Sequence, residues 1–212
     1  MAIGARVRSL FGPCEPFVTD LYRLAFFDMA AFARKLAKLE KPARVLEVGC
    51  GEGALLTQLV RLWPNAHFDG IDLTPRLGRV FQGDRSRVRF QQISVRQFAD
   101  AEPASVDMVL VCDVMHHIPW AEHPQIFDAI RRVLRPGGTI IIKDWLRDGN
   151  PVHWVGYFAD RVITGDRIRY GTRDEWVVAF EEAFGEGAIR DEFWTLPWSC
   201  NHAFVLKPTI PS

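Results

Sequence analysis

VLEVGCGEG, residues 45–53, is an apolar run that passes directly into a glycine-rich turn. ALLTQLVRLW (54–63) continues it with the apolar spacing of a helix, which Pro64 stops. The pattern is a strand, a turn and a helix. Glycines at 49, 51 and 53 let a ligand approach the backbone closely, and a helix N-terminus offers it unpaired N–H groups. Asp72 stands about twenty residues further on, at the end of the next strand candidate, AHFDGID (66–72). A carboxylate there is placed to accept hydrogen bonds from ribose hydroxyls.

Two cofactor classes fit this much. Read as GxGxxG/A, through Gly49, Gly51 and Ala54, the loop suits a nicotinamide-dependent oxidoreductase. Glu47 speaks against it. A carboxylate within the strand, two residues before the first glycine, repels a dinucleotide phosphate but attracts the sulfonium and ammonium of S-adenosylmethionine. A strand, turn and helix without a ligand needs neither Glu47 nor Asp72.

Outward from this loop the chain alternates short apolar runs with helical patterns. Phe17, Leu21, Leu24, Phe27 and Ala31 mark one amphipathic helix over 17–39, ended by Lys41-Pro42. Thr74-Pro75 reads as the start of a helix, and VRFQQI (88–93) and VDMVLVC (106–112) as strands. A helix follows from Glu122 to Leu134, closed by Arg135-Pro136-Gly137-Gly138. TIIIKDWL (139–146) has the near-continuous apolar character of a strand buried on both faces. The stretch 149–171 breaks the rhythm and reads as partly helical around 152–163. Thr172 and Glu175 form a capping box for a helix ending near Gly185, before two last strands, IRDEFWTL and HAFVLK. Alternating strands and helices predict an α/β fold with a mostly parallel sheet.

Four ordered segments carry a resemblance. VLEVGCGEG, GIDLT, VDMVLVCDVMHHIP and LRPGGTIIIKD resemble, in that order, the motifs of the class I S-adenosylmethionine-dependent methyltransferases, over roughly residues 43 to 146. The resemblance implies a Rossmann-like, mostly parallel seven-stranded sheet with helices on both faces and its last strand antiparallel. It also implies an N-terminal helical lid (1–42) ahead of a methyltransferase domain (43–212) with an aromatic-rich insertion at about 147–171. S-adenosylmethionine is the implied cofactor. Gly49, Gly51 and Gly53 would border its methionine part together with Cys50, and Glu47 would place its amino group. Asp72 would hold the ribose, Leu73 would lie against the adenine, and Asp113 would close the site after the fourth strand. Many relatives carry an acid after the third strand that hydrogen-bonds the adenine amino group; this chain has Ser94 there, whose hydroxyl can still hydrogen-bond the cofactor.

Cys112, Asp113, His116, His117 and His123 are metal-ligand types, but HExxH and CxxC spacings are missing and adjacent histidines rarely converge on one ion. No metal is expected. Imidazole suits proton removal from a hydroxyl near neutral pH. By the resemblance His116 takes the position of a base, with His117 beside it. The loops after strands four and five supply Trp120, Asp144, Trp145, Trp154 and Tyr157, which suits a small, partly aromatic acceptor.

Lys and Arg number 26, as do Asp and Glu, so no net field draws in nucleic acid or an anionic membrane. Four scattered cysteines without CxxC pairs suit free thiols in the cytoplasm. The expected activity is methyl transfer to a small metabolite, most readily at a hydroxyl oxygen, with nitrogen and carbon as lesser options. An oxidoreductase and a non-catalytic cofactor-binding sensor or partner subunit are the alternatives. The expected partner is a small molecule, and a homodimer is compatible with the sequence.

Overall fold

VDMVLVC is apolar at nearly every position because it lies at the centre of the sheet, covered on both faces. The computed structural model describes residues 27–148, 168–198 and 200–209. Its strands are β1 (Arg44–Val48), β2 (His67–Ile71), β3 (Val88–Gln91), β4 (Val106–Cys112), β5 (Leu134–Trp145), β6 (Ile189–Trp194) and β7 (Asn201–Leu206). They form one seven-stranded sheet in the order β3-β2-β1-β4-β5-β7-β6. The ladders joining β1 to β5 are parallel, and β7 runs antiparallel to both of its neighbours.

Alternation along the strands divides the core in two. Val109 and Val111 of β4 and Ile140 and Ile142 of β5 face α3 (Val95–Ala101), α4 (His123–Val133) and α5 (Arg173–Phe184). Met108, Leu110 and Ile141 face α1 (Met29–Leu39) and α2 (Ala54–Leu62). Helices therefore cover both faces. The Thr172–Glu175 capping box starts α5.

Three expectations about the elements need correction. The helix expected over 17–39 does not run through: Asp28 caps α1 by accepting from the Ala31 N–H, and its own N–H donates to the Leu196 carbonyl. Residues 17–26 and the helix expected around 152–163 lie outside the described residues. After Thr74-Pro75 the chain turns instead of forming a helix. The amides a helix would use go to the glycine loop, Gly78 N–H to the Gly51 carbonyl and Val80 N–H to that of Glu52, and Gly78 is left-handed at φ +63°. Finally, β5 begins at Leu134, with a register irregularity through Arg135–Gly138 before regular pairing resumes at Thr139.

Candidate active site

The strand order reverses between β1 and β4, and open α/β sheets place ligands outside the carboxyl ends of the strands at such a point. The glycine loop after β1 is anchored there. The N–H groups of Gly49 and Cys50 donate to the Ile71 carbonyl at 2.8 and 3.1 Å. Asp72 accepts from Gly51 N–H through Oδ2 and from Thr74 N–H through Oδ1, each at 2.8 Å, so its carboxylate is oriented by backbone on both sides. Gly49 sits at φ +72°, and a Cβ there would lie 2.2 Å from Val114 Cγ2. That contact joins the glycine loop to the loop after β4.

Glu47 is buried, and its Oε2 has no hydrogen-bond partner. Burial, with the Asp72 charge adding to it, pushes the carboxyl up to about 8. Burial followed by the charge of Glu47 also raises the thiols of Cys50 and Cys112, which keeps them protonated. A buried acceptor without a donor and a glycine turn with room above it, since a Cβ on Gly51 would meet nothing nearer than 3.9 Å, fit a ligand that brings an ammonium.

The second half of the site hangs on the carboxyl end of β5. His116, almost fully buried, directs Nδ1 at Asp144 Oδ1 across 2.5 Å, and its backbone N–H donates to Asp144 Oδ2 at 3.0 Å. Asp144 Oδ1 also accepts from the Trp145 N–H. Burial opposes ionisation of Asp144, but the His116 ring, the Trp145 N–H and the Lys143 charge outweigh it and hold the carboxyl below its usual range. This geometry assigns a ring proton to Nδ1. The turn carrying His116 is held on other sides too. His123 Nε2 faces the Met115 and Ile118 carbonyls at 3.1 and 3.2 Å, and the Arg169 N–H donates to the His116 carbonyl.

Glu47, Gly49, Cys50, Gly51, Asp113, His116, His117 and Trp145, all expected at the site from sequence, line one cavity of about 290 Å³. Asp72 reaches it through Gly51, and Leu73 lies beside it with its side chain 70% exposed. Gly53 is instead the left-handed N-cap of α2, packed under Phe81 and Phe90. The structure brings neither Ser94 nor Trp120 to this cavity. The Ser94 hydroxyl is engaged with Gln97 in the capping box of α3. Trp120 packs on His123 and Trp176 under the Arg169 guanidinium. Trp154 and Tyr157 lie outside the described residues.

Sequence reasoning missed Asp144 as the partner of His116, and the cavity walls made by Phe27 and Met29. The signal for Asp144 was present: in IIIKDW two charges end an otherwise apolar central strand, at the edge where such sheets hold ligands. Among the described residues no three His, Cys, Asp or Glu side chains converge to hold a metal ion, and no helix is long and apolar enough to cross a membrane.

Residues 45–138 match the model of a methyltransferase domain. The trans-aconitate 2-methyltransferase of Azoarcus sp. (strain BH72) is 32% identical over 105 residues, which is 50% of this chain and 40% of that protein. The ubiquinone biosynthesis O-methyltransferase of Cupriavidus pinatubonensis is 32% identical over 104 residues, 47% of this chain and 40% of its own length. The chain thus spans about two fifths of the length of these curated relatives. A solved structure of the Burkholderia thailandensis 1,6-didemethyltoxoflavin-N1-methyltransferase, with bound 1,6-didemethyltoxoflavin and S-adenosylhomocysteine, is similar with a TM-score of 0.65. It is 21% identical and covers 95% of this chain and 86% of that one, a likeness of fold. The matched segment, the sheet order and the glycine loop are similar to those of the class I S-adenosylmethionine-dependent methyltransferases.

Proposed function

We propose that the protein transfers a methyl group from S-adenosylmethionine to a small, partly aromatic metabolite, at a hydroxyl oxygen, with His116 as general base. The observation that carries this reading is the buried Asp144–His116 pair, whose histidine lines the same cavity as the glycine loop and Glu47, with its unpartnered Oε2.

Glu47 would take the ammonium of the cofactor's methionine part, Gly49 and Gly51 would border it, and Asp72 would hold the ribose. Leu73, already exposed beside Asp72, would pack on the adenine. When bound, the cofactor supplies a methyl group made electrophilic by a sulfonium. The residues on the other side position the acceptor and remove its proton. His116 Nε2 accepts the hydroxyl proton as the oxygen becomes a nucleophile, and Asp144 stabilises the resulting imidazolium. His117 and Trp145 shape the space in which the acceptor is held. Orientation of the acceptor is the larger contribution, because the reaction is an in-line displacement.

Calorimetry with S-adenosylmethionine, S-adenosylhomocysteine and NAD tests the cofactor; tight binding of NAD alone would sink the proposal. Incubation with labelled methyl donor and a metabolite extract then tests transfer, and binding without transfer would favour a cofactor sensor. His116→Ala should spare cofactor affinity and lower kcat by about 10²-fold or more, most strongly at low pH, where a hydroxyl acceptor is least ionised. Asp144→Asn should behave alike, because an amide no longer favours the Nδ1–H tautomer. Rates that stay unchanged across pH in both variants would remove this pair from the mechanism.

A further inference from the structure

The carboxyl end of β5 carries a second buried charge beside Asp144. Lys143 is completely buried, and its ammonium lies 2.7 and 2.6 Å from Asp113 Oδ1 and Oδ2. The same nitrogen sits 3.9 Å from the centroid of the Phe27 ring and 5.9 Å from that of Trp145. Boxed between a carboxylate and aromatic faces, Lys143 is not itself a wall of the cavity. Asp113 is the wall, with its side chain 33% exposed.

The backbone enforces the same arrangement. The Asp113 N–H donates to the Lys143 carbonyl at 2.9 Å, and Asp113 adopts a left-handed φ of +56°, uncommon for any residue with a side chain. Ladder bond and ion pair together keep the carboxylate turned to the cavity.

The ionisable side chains among the described lining residues, the histidines and thiols aside, are Glu47, Glu52 and Asp113, all acids, and burial keeps Glu47 mostly protonated until an ammonium binds. The cations that balance two of them stand behind their partners. Arg79 grips Glu52 from outside the cavity at 3.0–3.1 Å, and Lys143 grips Asp113 from beneath. Among the described residues an incoming carboxylate therefore meets Glu52 and Asp113 before their cations. A hydroxyl, by contrast, finds in Asp113 a fixed acceptor, because each oxygen keeps lone-pair capacity beyond its bond to Lys143. Phe27, Met29 and Trp145 supply apolar and aromatic walls around it.

We propose that Asp113, with Lys143 as its positioning residue, determines acceptor specificity: the site admits a neutral hydroxyl on an apolar or aromatic body and rejects an acceptor bearing a carboxylate. This rests on the methyltransferase reading above and deepens it.

The test is calorimetry on the full chain saturated with S-adenosylhomocysteine, using matched probes that share a ring and hydroxyl and differ by one carboxylate. The pairs are catechol against 2,3-dihydroxybenzoate, and 2-naphthol against 3-hydroxy-2-naphthoate. The wild type should bind the neutral member of a pair at least about tenfold more tightly. Asp113→Asn should narrow or reverse that preference by strengthening the carboxylate member, while Lys143→Met, which strips Asp113 of its counter-charge, should widen it. The double variant Asp113→Asn/Lys143→Met removes both charges and should bring the pair within about threefold, even if Lys143→Met alone does not fold. Equal binding of the pair by the wild type, no binding of either neutral probe, or an unchanged ratio in Asp113→Asn and in the double variant overturns the proposal. Failure of the wild type to bind S-adenosylhomocysteine is a separate result, because it removes the methyltransferase reading itself and the acceptor proposal with it.

Discussion

Glu47 enters an apolar strand where a carboxylate loses its hydration, and nothing in the surrounding protein donates to its Oε2. The groups facing it are Asp72 after β2, Cys50 in the glycine loop and Cys112 at the end of β4, none of them a cation. Burial, then Asp72, raises the carboxyl to about 8, so at pH 7 it is mostly protonated in the protein alone. The folded pKa lies above the unfolded one. The folded chain therefore keeps a proton that the unfolded chain releases, and stability falls as pH rises from about 4.5 to about 8. Glu47→Gln should remove this fall, matching the wild type near pH 4.5 and exceeding it by about 2–4 kcal/mol at pH 9 in urea unfolding. An ammonium seated on Glu47 would draw the proton off. Binding of S-adenosylmethionine at pH 7 should thus release close to one proton, measured by calorimetry in two buffers of different ionisation heat, and Glu47→Gln should release none. A wild type that binds without proton release would show that Glu47 does not meet the ammonium.

At the scale of elements, the glycine loop and the loop after β4 work as one unit through the contact of Gly49 with Val114. An added Cβ on Gly49 would collide with Val114 Cγ2 and would also strain a left-handed backbone. Gly49→Ala should therefore lower stability by about 2–4 kcal/mol. Adding Val114→Ala removes the colliding methyl and should restore more than half of that loss, the rest being backbone strain. Losses that simply add in urea unfolding would show that the two loops are not packed as one unit. This coupling also marks what a sequence can show. The spacing of Gly49, Gly51 and Asp72 reports the turn, since only certain residues tolerate those conformations. Val114 against Gly49, and Asp144 against His116, are tertiary meetings between distant residues that no local pattern encodes. The missing helix after Thr74-Pro75 has the same origin: local propensity favoured it, but amides committed to the carbonyls of Gly51 and Glu52 overrode it. Ser94 is the converse case, because its place at a helix start was readable as a cap as much as a ligand contact.

Across the whole molecule, the proposed ligand-binding groups gather at the carboxyl ends of the strands and a structural charge network lies toward their amino ends. There Asp69 of β2 is nearly fully buried and accepts from Arg44 at 2.8 Å and from Arg89 at 2.6 Å. Glu102, after α3, binds the same two arginines. The four groups tie β1, β2, β3 and α3 together on the amino side of the sheet, and none of them lines the cavity. The alternation of strands and helices made the parallel sheet readable, whereas this network depends on register, with Asp69 opposite Leu46 on β1 and Arg89 on β3. Asp69→Ala leaves Arg44 and Arg89 with Glu102 and solvent as partners, at 25% and 47% side-chain exposure. It should destabilise the protein by about 1–2 kcal/mol, less than the breaking of a fully buried pair. If function and stability are divided between the two ends of the sheet, the affinity of folded Asp69→Ala for S-adenosylhomocysteine at 15 °C stays within about twofold of wild type, because distant sites contribute independently. A larger loss of affinity at unchanged foldedness, read by calorimetry alongside circular dichroism, would show that the amino-end network also sets the height of the glycine loop, through β1 and β2, and that the division fails.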